Sequence, residues 1–366
     1  MIMSCSRMRR FYGVMLAGVI AGLGVGIGVK AHAQAAPLEV RVVVVTTFEL
    51  GQDRGDMPGE FQHWVERYPL EQSFPAPGTE HGVLRYNTQD HVLGLVSGEG
   101  PSHMAAAITA LALDPRFDFR HAYFILAGIA GVNPYKASLG SAAWARYVVN
   151  GGAAHLIDSR EIPADWPDGF TPLQGHVPDE QPRPPLHSIA GDMAYQLRPS
   201  LVQWAYERTK AITLPDNAAL QAHRHAYQDF PEALKPPHVM IGDTISSETY
   251  WLGARMNRWA ERWVSYWTDH QGEMVTTAEE DIALCQALAL QAKAGRVDAQ
   301  RILILRTASN FDMPPTAVTP ATMLANAAHE ENLPGLHAAT DAAYRVASPI
   351  VRHLATDWAR YKEHVP

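Results

Sequence analysis

The sequence predicts an α/β fold in which helices cover a mostly central sheet. Three observations support this prediction. Residues 40–47 (VRVVVVTT) and 92–96 (VLGLV) are short β-branched or aliphatic runs typical of buried strands. The second run passes through a glycine-rich turn into an alanine-rich helical pattern at residues 102–113. The same order of strand, loop and helix then recurs along the chain.

Each remaining element follows from the same patterns. Further strands are predicted at residues 123–126, 142–149, 239–241 and 302–305. Further helices are predicted at residues 59–67, 189–211, 252–267, 277–294 and 338–361. The proline-rich residues 162–185 indicate a long surface loop. No repeat or linker divides the chain, so residues 34–366 are predicted to form a single domain.

The first 33 residues have the pattern of a secretory signal peptide. Three arginines, Arg7, Arg9 and Arg10, precede an uncharged, glycine-rich apolar stretch at residues 11–29, and Ala31-His32-Ala33 matches a cleavage site. An uncleaved anchor is the alternative, because the stretch approaches the roughly 20 residues that cross a bilayer. The glycines favour cleavage. We therefore expect an exported protein, periplasmic or secreted, with no membrane span after the signal is removed.

Composition excludes several classes of function. Loss of residues 1–33 removes four basic residues and no acidic one, so the formal charge changes from -8 to -12. Such an acidic chain is a poor partner for nucleic acid. Only Cys285 remains after the signal, so no internal disulfide forms. The sequence has no HExxH motif and no paired CxxC motifs, so neither a catalytic metal nor a cofactor is expected.

Polar and glycine-rich groups follow the predicted strands. Ligands of α/β sheets bind at the carboxyl ends of strands, where glycine lets the backbone approach them and helix N-termini offer free N–H groups. Each glycine alone also fits a simple turn. The candidates for ligand contact at these ends are Glu49, Gly98, Gly100, Gly128, Gly131, Asn133 and Asp243.

Two distant segments look like the sugar-binding and base-binding halves of one nucleoside pocket. Residues 272–281 (GEMVTTAEED) place carboxylates where a helix is predicted to begin. Residues 301–315 (RILILRTASNFDMPP) end a buried-strand pattern in a polar cluster that includes Ser309, Asn310 and Asp312. Together they suggest chemistry at an N-glycosidic bond.

The order of these motifs resembles the purine nucleoside permease family. The motifs are Phe48-Glu49, GEG (98–100), GIAGVNP (128–134), GDTISSETYW (242–251), GEMVTTAEED and RTASNFDMP (306–314). That family is similar to the nucleoside phosphorylases and nucleosidases of the phosphorylase/hydrolase-like fold. The resemblance spans about residues 40–354. It implies a three-layer α/β/α domain with a central mixed sheet that binds purine nucleosides across the strand ends.

The resemblance also implies roles for particular residues. Glu280 matches the glutamate that binds the ribose hydroxyls, with Glu273 as a second candidate, because a carboxylate accepts two hydrogen bonds from a vicinal diol. Glu279 stands where methionine is expected. These acids also fit the start of a helix, where they favour its dipole. Asn310 stands where nucleosidases carry a proton-donating aspartate.

An amide cannot transfer a proton at neutral pH, so base activation would come from hydrogen bonding by Asn310 or from Asp312 as general acid. Asp312 also fits a turn before Pro314. At the base, Ser309 and Asp243 are candidate polar contacts, and the aromatic pair Tyr250 and Trp251 could stack on a purine.

Water and phosphate are the two candidate attacking groups. Phosphorylases similar to this chain carry an arginine before the glycine motif, but no basic residue directly precedes Gly128, and Arg54 is the only one soon after the first strand. Hydrolysis is favoured, with water activated by Glu49 or Asp53, although Gly51 occupies the position of the usual water-activating glutamate. A non-catalytic nucleoside-binding component of a transport system is the alternative.

A stripe of tryptophans suggests a packed helix face or a subunit contact in a homo-oligomer. Trp259, Trp263 and Trp267 recur every four residues, so they lie on one face of the predicted helix.

Overall fold

The computed structural model describes residues 36–188, 191–326 and 335–366, and in it strands and helices alternate along the chain. The strands are β1 (Leu38–Glu39), β2 (Val42–Thr46), β3 (Gln72–Pro75), β4 (Val83–Asn87), β5 (Val92–Val96), β6 (Phe117–Asp118), β7 (Tyr123–Val132), β8 (Ala142–Trp144), β9 (Tyr147–Asn150), β10 (Ala154–Leu156), β11 (Phe170–Pro172), β12 (His187–Ser188), β13 (Gly191–Asp192), β14 (Ala194–Gln196), β15 (Val239–Ile241), β16 (Asp243–Ser246), β17 (Met274–Ala278) and β18 (Ile302–Phe311). The helices are α1 (Gln62–Arg67), α2 (Gly100–Ala112), α3 (Pro199–Thr209), α4 (Ala218–Arg224), α5 (Ala254–Trp267), α6 (Asp281–Lys293), α7 (Pro320–Asn326), α8 (Leu336–Thr356) and α9 (Trp358–Tyr361).

The main sheet is built around β7. Its first half lies between two parallel neighbours, β2 and β18, and its last residues pair with the antiparallel strand β17. β5 extends the parallel part beyond β2, while β18 also pairs antiparallel with β8. Every residue of β2, β5 and β18 is buried, as expected for strands covered on both faces. The predicted α/β fold with a central mixed sheet is confirmed.

Helices complete the core on this sheet. The long helix α8 packs on β2, β7 and β18. The alanine-rich helix α2 packs against α6, which in turn contacts β9, β14 and β16. Small side chains on α2 permit this close approach of two helices. The N-termini of both α2 and α6 thereby lie at the strand ends that the sequence singled out.

Several elements differ from the sequence prediction. β7 continues through the glycine-rich GIAGV stretch, and β18 continues through the polar cluster to Phe311. Both strands have partners on two sides, and this pairing overrides the weak strand propensity of glycine, serine and asparagine. The predicted helix at 277–294 begins only at Asp281, because Thr277 and Ala278 end β17. The predicted helix at 189–211 begins at Pro199, a residue suited to the first helical position.

The described residues from 37 onward form one compact unit. The predicted signal peptide lies outside the described residues. Within the part of the chain that is described, no helix is both long enough and apolar enough to cross a membrane.

Candidate functional site

A cleft opens where several strands end. Its walls come from the residues after β2 and β5, the second half of β7, the end of β17, the loop after β16 and the end of β18. The lining residues are Thr47, Phe48, Glu99, Ile129, Ala130, Gly131, Tyr250, Thr277, Ala278, Glu279, Glu280, Arg306, Ser309 and Asn310. The two segments that the sequence suggested as halves of one pocket both contribute to it.

A β-bulge in β18 shapes one end of the cleft. Ala308 is paired with Ala130 and Asn310 with Gly131, so Ser309 is an extra residue between two register positions. Successive residues of a regular strand point to opposite faces. Because of the bulge, Ser309 and Asn310 both line the cleft.

Ser309, Asn310 and Tyr250 form the polar end of the cleft. The Ser309 Oγ lies 2.9 Å from Asn310 Oδ1 and 3.2 Å from Ala130 O. The Asn310 Nδ2 donates to the Tyr250 hydroxyl at 3.1 Å and to Phe311 O at 3.2 Å. Tyr250 is 50% exposed, so its ring stands at the mouth of the cleft.

A short turn between β17 and α6 presents two glutamates to the cleft. Ser246 holds this turn, because its Oγ donates to Glu279 O at 2.9 Å and accepts from the N–H of Ile282 at 3.2 Å. Glu280 is buried, and its Oε1 accepts a hydrogen bond from the N–H of Gly100 at the start of α2, at 2.9 Å. A helix N-terminus stabilises a carboxylate in this position.

Arg306 anchors Glu280 from the opposite side. Its Nη2 lies 2.7 Å from Glu280 Oε2 and 2.6 Å from Asp281 Oδ1, and its Nη1 donates to Ile129 O at 2.8 Å. Burial alone would lower the pKa of this guanidinium, but the carboxylates of Asp281 and Glu280 raise it. Arg306 is 1% exposed and remains charged, and it fixes the orientation of Glu280. The sequence did contain a signal for this ion pair. Arg306 lies within an apolar strand run, and a buried cation requires acidic partners.

Gly128 makes room for a second buried acid, Glu60, which the sequence reasoning missed. The Glu60 Oε2 accepts from the N–H of Thr47 at 2.6 Å, and its Oε1 accepts from the N–H of Ile129 at 2.6 Å. A Cβ on Gly128 would lie 2.7 Å from Glu60 Oε1 and 2.8 Å from Arg306 Nη1. Burial raises the pKa of Glu60 to about 7. Because Gly128 has no side chain, the Glu60 and Arg306 side chains fit against it beneath the cleft.

Glu279 presents its carboxylate to the cleft beside Glu280. Its Oε2 is 3.8 Å from the position that a Cβ on Gly100 would occupy. Burial, followed by the charges of Glu280, Glu99 and Glu248, raises the pKa of Glu279 to about 7, although Arg306 acts in the opposite direction. Glu279 therefore exchanges its proton near neutral pH.

Glu49 lies beside the cleft but uses its carboxylate to organise the start of α1. Its Oε1 accepts from the N–H groups of Leu50 and Gly59, and its Oε2 accepts from those of Phe61 and Gln62, at 2.5 to 2.8 Å. The desolvation of this site raises the pKa of Glu49. Four backbone donors occupy the acceptor positions of this carboxylate.

Two of the strand-end candidates are structural parts of the interior. Asp243 begins β16, and its Oδ1 accepts from the N–H groups of Arg146 and Tyr147 while its Oδ2 accepts from that of Glu273. It therefore lies at the amino end of its strand, away from the cleft. Asn133 is fully buried, where its Nδ2 donates to Glu261 Oε1 at 2.9 Å.

Four further candidates also lie outside the cleft lining. Glu273 forms an ion pair with Lys136 at 2.7 Å on the surface, and Asp53 forms one with Arg85 at 2.7 Å. Trp251, which precedes α5, packs edge-on against Trp259 of that helix and lines a different groove. Asp312 is buried behind the cleft.

Asp312 bonds only on one side. Its Oδ2 accepts from Asn257 Nδ2 at 2.9 Å, and its Oδ1 has no partner among the described residues. Burial raises the pKa of Asp312 well above its usual range. This carboxyl group does not belong to the lining of the cleft.

Gly98, Gly100 and Gly131 shape the backbone around the cleft. Gly98 and Gly100 have φ values of 90° and 82°, which L-residues with a side chain rarely adopt. A Cβ on Gly131 would lie 2.9 Å from Thr277 Cγ2 and 3.4 Å from Asn310 Nδ2. Gly131 therefore forms the floor of the cleft between Glu280 at one end and Asn310 at the other.

Comparison with known proteins identifies one family along most of the chain. A model of the family described as purine nucleoside permease matches residues 39–366. A probable purine nucleoside permease of Schizosaccharomyces pombe is 31% identical over 279 residues, which cover 75% of this chain and 78% of that protein. A purine nucleoside permease of Candida albicans is 25% identical over 336 residues, which cover 89% of this chain and 79% of that protein.

Among solved structures, a 5'-methylthioadenosine/S-adenosylhomocysteine nucleosidase of Streptococcus pneumoniae superposes with a TM-score of 0.48 and 14% identity, covering 86% of this chain and 99% of that one. The futalosine hydrolase of Helicobacter pylori superposes with a TM-score of 0.48 and 14% identity, covering 87% of this chain and 98% of that one.

Proposed function

Because the chain belongs to the purine nucleoside permease family, we propose that it binds purine nucleosides in this cleft and cleaves their N-glycosidic bond with water. The observation that carries the proposal is the pairing, within one cleft, of an anchored carboxylate at one end with an amide and a tyrosine at the other. A nucleoside has a diol at its sugar and a ring of polar nitrogens at its base, and the two ends match these groups.

The Glu280 carboxylate supports ribose binding. Each of its oxygens accepts one hydrogen bond from the protein, from Gly100 and Arg306 respectively, and each retains a second acceptor direction. A vicinal diol can donate one hydrogen bond to each oxygen. Hydrogen bonds to a charged acceptor are the stronger class, so this geometry favours a ribonucleoside over a free base.

Asn310 and Tyr250 support base binding at the other end. The amide is held by Ser309 and by the Tyr250 hydroxyl, so its orientation is set before a ligand arrives. The Tyr250 ring at the mouth offers an aromatic face for a purine. Asn310 Oδ1 accepts one hydrogen bond, from Ser309, and keeps a second acceptor position for an N–H group of the base, while the amide itself transfers no proton.

The charge of the cleft favours water over phosphate as the attacking group. Among the described lining residues, Glu99, Glu279 and Glu280 are acidic and Arg306 is the single basic residue. Arg306 is already paired with Glu280 and Asp281. A phosphate dianion would be repelled by the remaining carboxylates, whereas a neutral water molecule is not.

The proposal places this activity outside the cytoplasm. Support comes from the basic and apolar residues followed by a cleavage pattern at residues 1–33. Cleavage of nucleosides there would release base and sugar for uptake.

The decisive experiment is product analysis with the purified protein. Inosine and adenosine are incubated with the protein with and without inorganic phosphate, and sugar products are separated by chromatography. Free ribose formed equally in both conditions is the expected result. Ribose 1-phosphate that requires phosphate would establish phosphorolysis instead, and tight nucleoside binding without either product would establish a binding protein.

A further inference from the structure

We propose that Glu279 is the catalytic base that takes a proton from the attacking water, an inference that rests on the proposed hydrolytic function. Several carboxylates around the cleft are held by contacts within the protein, whereas Glu279 faces the cleft beside Glu280.

Three nearby carboxylates are engaged in holding the protein together. Glu49 accepts four backbone hydrogen bonds at the start of α1. Glu60 is buried beneath the cleft and binds Thr47 and Ile129. Asp281 is fully buried between Arg306 and Thr244. None of these three can turn toward a water molecule without breaking the fold locally.

Glu280 lies in the cleft but is fixed by two partners. Its charge is neutralised by Arg306, and its Oε1 is bound to the N–H of Gly100. Its carboxylate cannot turn toward a water molecule without breaking the buried ion pair with Arg306. Glu280 therefore fits sugar binding better than proton abstraction.

Glu279 has the opposite character. It lines the cleft next to Glu280, is only partly buried, and receives no hydrogen bond at its carboxylate from the described residues. The same turn carries both glutamates, so a sugar held by Glu280 lies within reach of its neighbour. The carboxylate is left available for a water molecule beside the sugar.

The charged groups that face Glu279 set its proton affinity near neutrality. Glu280 from the same turn, Glu99 from the start of α2 and Glu248 from the loop after β16 all disfavour its ionised form, while Arg306 of β18 favours it. Together with burial they raise the pKa of Glu279 to about 7. A general base works best when its pKa lies near the working pH.

The step balances without any further reactant. The water oxygen forms a bond to the anomeric carbon as the bond from that carbon to the purine nitrogen breaks, and the bonding electrons leave with the purine. Glu279 takes the proton that the water loses. The departing purine takes a proton from solvent and Glu279 returns its proton to solvent, so nucleoside and water give ribose and purine.

The test combines Glu279→Gln with a pH profile of inosine hydrolysis. The wild-type rate should fall as pH drops below about 7, because the base becomes protonated, and this acid limb should be missing in the variant. The turnover number should fall about 10²- to 10⁴-fold, the usual contribution of a general base. Glu207→Gln, an exposed glutamate on α3, is the matched control and should keep both rate and profile.

Binding of an uncleavable nucleoside analogue separates catalysis from structure. A C-nucleoside, in which carbon replaces the glycosidic nitrogen, should bind wild type and Glu279→Gln equally well. Retention of the rate or of the acid limb in Glu279→Gln would overturn the inference, and so would loss of C-nucleoside binding, which would make Glu279 a binding residue. Absence of ribose formation by the wild-type protein would instead refute the proposed function itself.

Discussion

Glu280→Gln is the substitution that most directly examines the ribose end of the cleft. Glutamine keeps the size of the side chain and one acceptor oxygen, but it removes the charge and replaces the second acceptor with a donor. Glu280 holds one bond from Gly100 and one from Arg306, so the variant can still accept one of them. One of the two hydrogen bonds offered by the sugar diol loses its acceptor.

The magnitude follows from the strength of that bond. A hydrogen bond to a charged group contributes about 1.5–3 kcal/mol, and a loss of about 2 kcal/mol corresponds to a roughly 30-fold rise in Kd. Breaking a buried ion pair outright costs about 3–5 kcal/mol of stability. Arg306 retains Asp281 at 2.6 Å, so the loss in the free energy of unfolding should be smaller than that.

Calorimetric titration with a C-nucleoside and with the free purine measures the effect. The affinity for the nucleoside should fall while the affinity for the free purine stays the same, because only the nucleoside has a diol. Glu273→Gln provides the comparison, since Glu273 lies on the surface with Lys136 and should affect neither ligand. Equal losses for nucleoside and purine, or no loss for either, would refute the assignment of Glu280 to the sugar.

Three further substitutions examine other parts of the site. Gly131→Ala should weaken purine binding and lower the free energy of unfolding by about 1–3 kcal/mol, because the added Cβ would lie 2.9 Å from a threonine methyl group. Gly152→Ala is the control in the same titration and unfolding measurements, because the nearest atom to its added Cβ would be 3.7 Å away. Tyr250→Phe should raise the Kd for purine about 2- to 10-fold by removing the hydroxyl that holds Asn310, whereas Tyr135→Phe, at an equally exposed tyrosine, should not. Asp312→Asn should gain stability relative to wild type as pH rises above about 4. In the wild-type protein the buried carboxyl group binds its proton more tightly in the folded chain than in the unfolded one. Rising pH therefore destabilises the wild-type fold up to the raised pKa of Asp312, while the asparagine variant is unaffected. Thermal unfolding between pH 5 and pH 8 tests this, and a difference in Tm that does not vary with pH would contradict it.

Sequence patterns alone located the parallel core and the edge of the sheet that carries the site. The predicted strand at residues 92–96 coincides with β5, and the predicted strand at 239–241 coincides with β15. Strands of this kind can be predicted from local composition, because each is a short apolar run bounded by turn residues. The rule that ligands bind at strand carboxyl ends then selected Gly98, Gly100 and Gly131, which shape the backbone around the cleft.

The lengths of β7 and β18 could not be obtained in this way. Residues such as Gly128 and Asn310 have low strand propensity, and they are held in extended form by partners from distant parts of the chain. The same pairing creates the bulge at Ser309. The sequence patterns therefore predicted shorter strands and placed these residues in the loops that follow them.

What the sequence determined by itself is the fold class, the family motifs and the identity of the two segments that form the cleft. Only the tertiary structure decided the function of each acid, because that depends on which donors surround it in space. Glu49 is engaged by backbone N–H groups, Glu280 is paired with Arg306, and Asp243 lies at the other end of its strand. Glu279 combines a place in the cleft beside Glu280 with a carboxylate that receives no hydrogen bond from the described residues, and no sequence spacing reveals that combination.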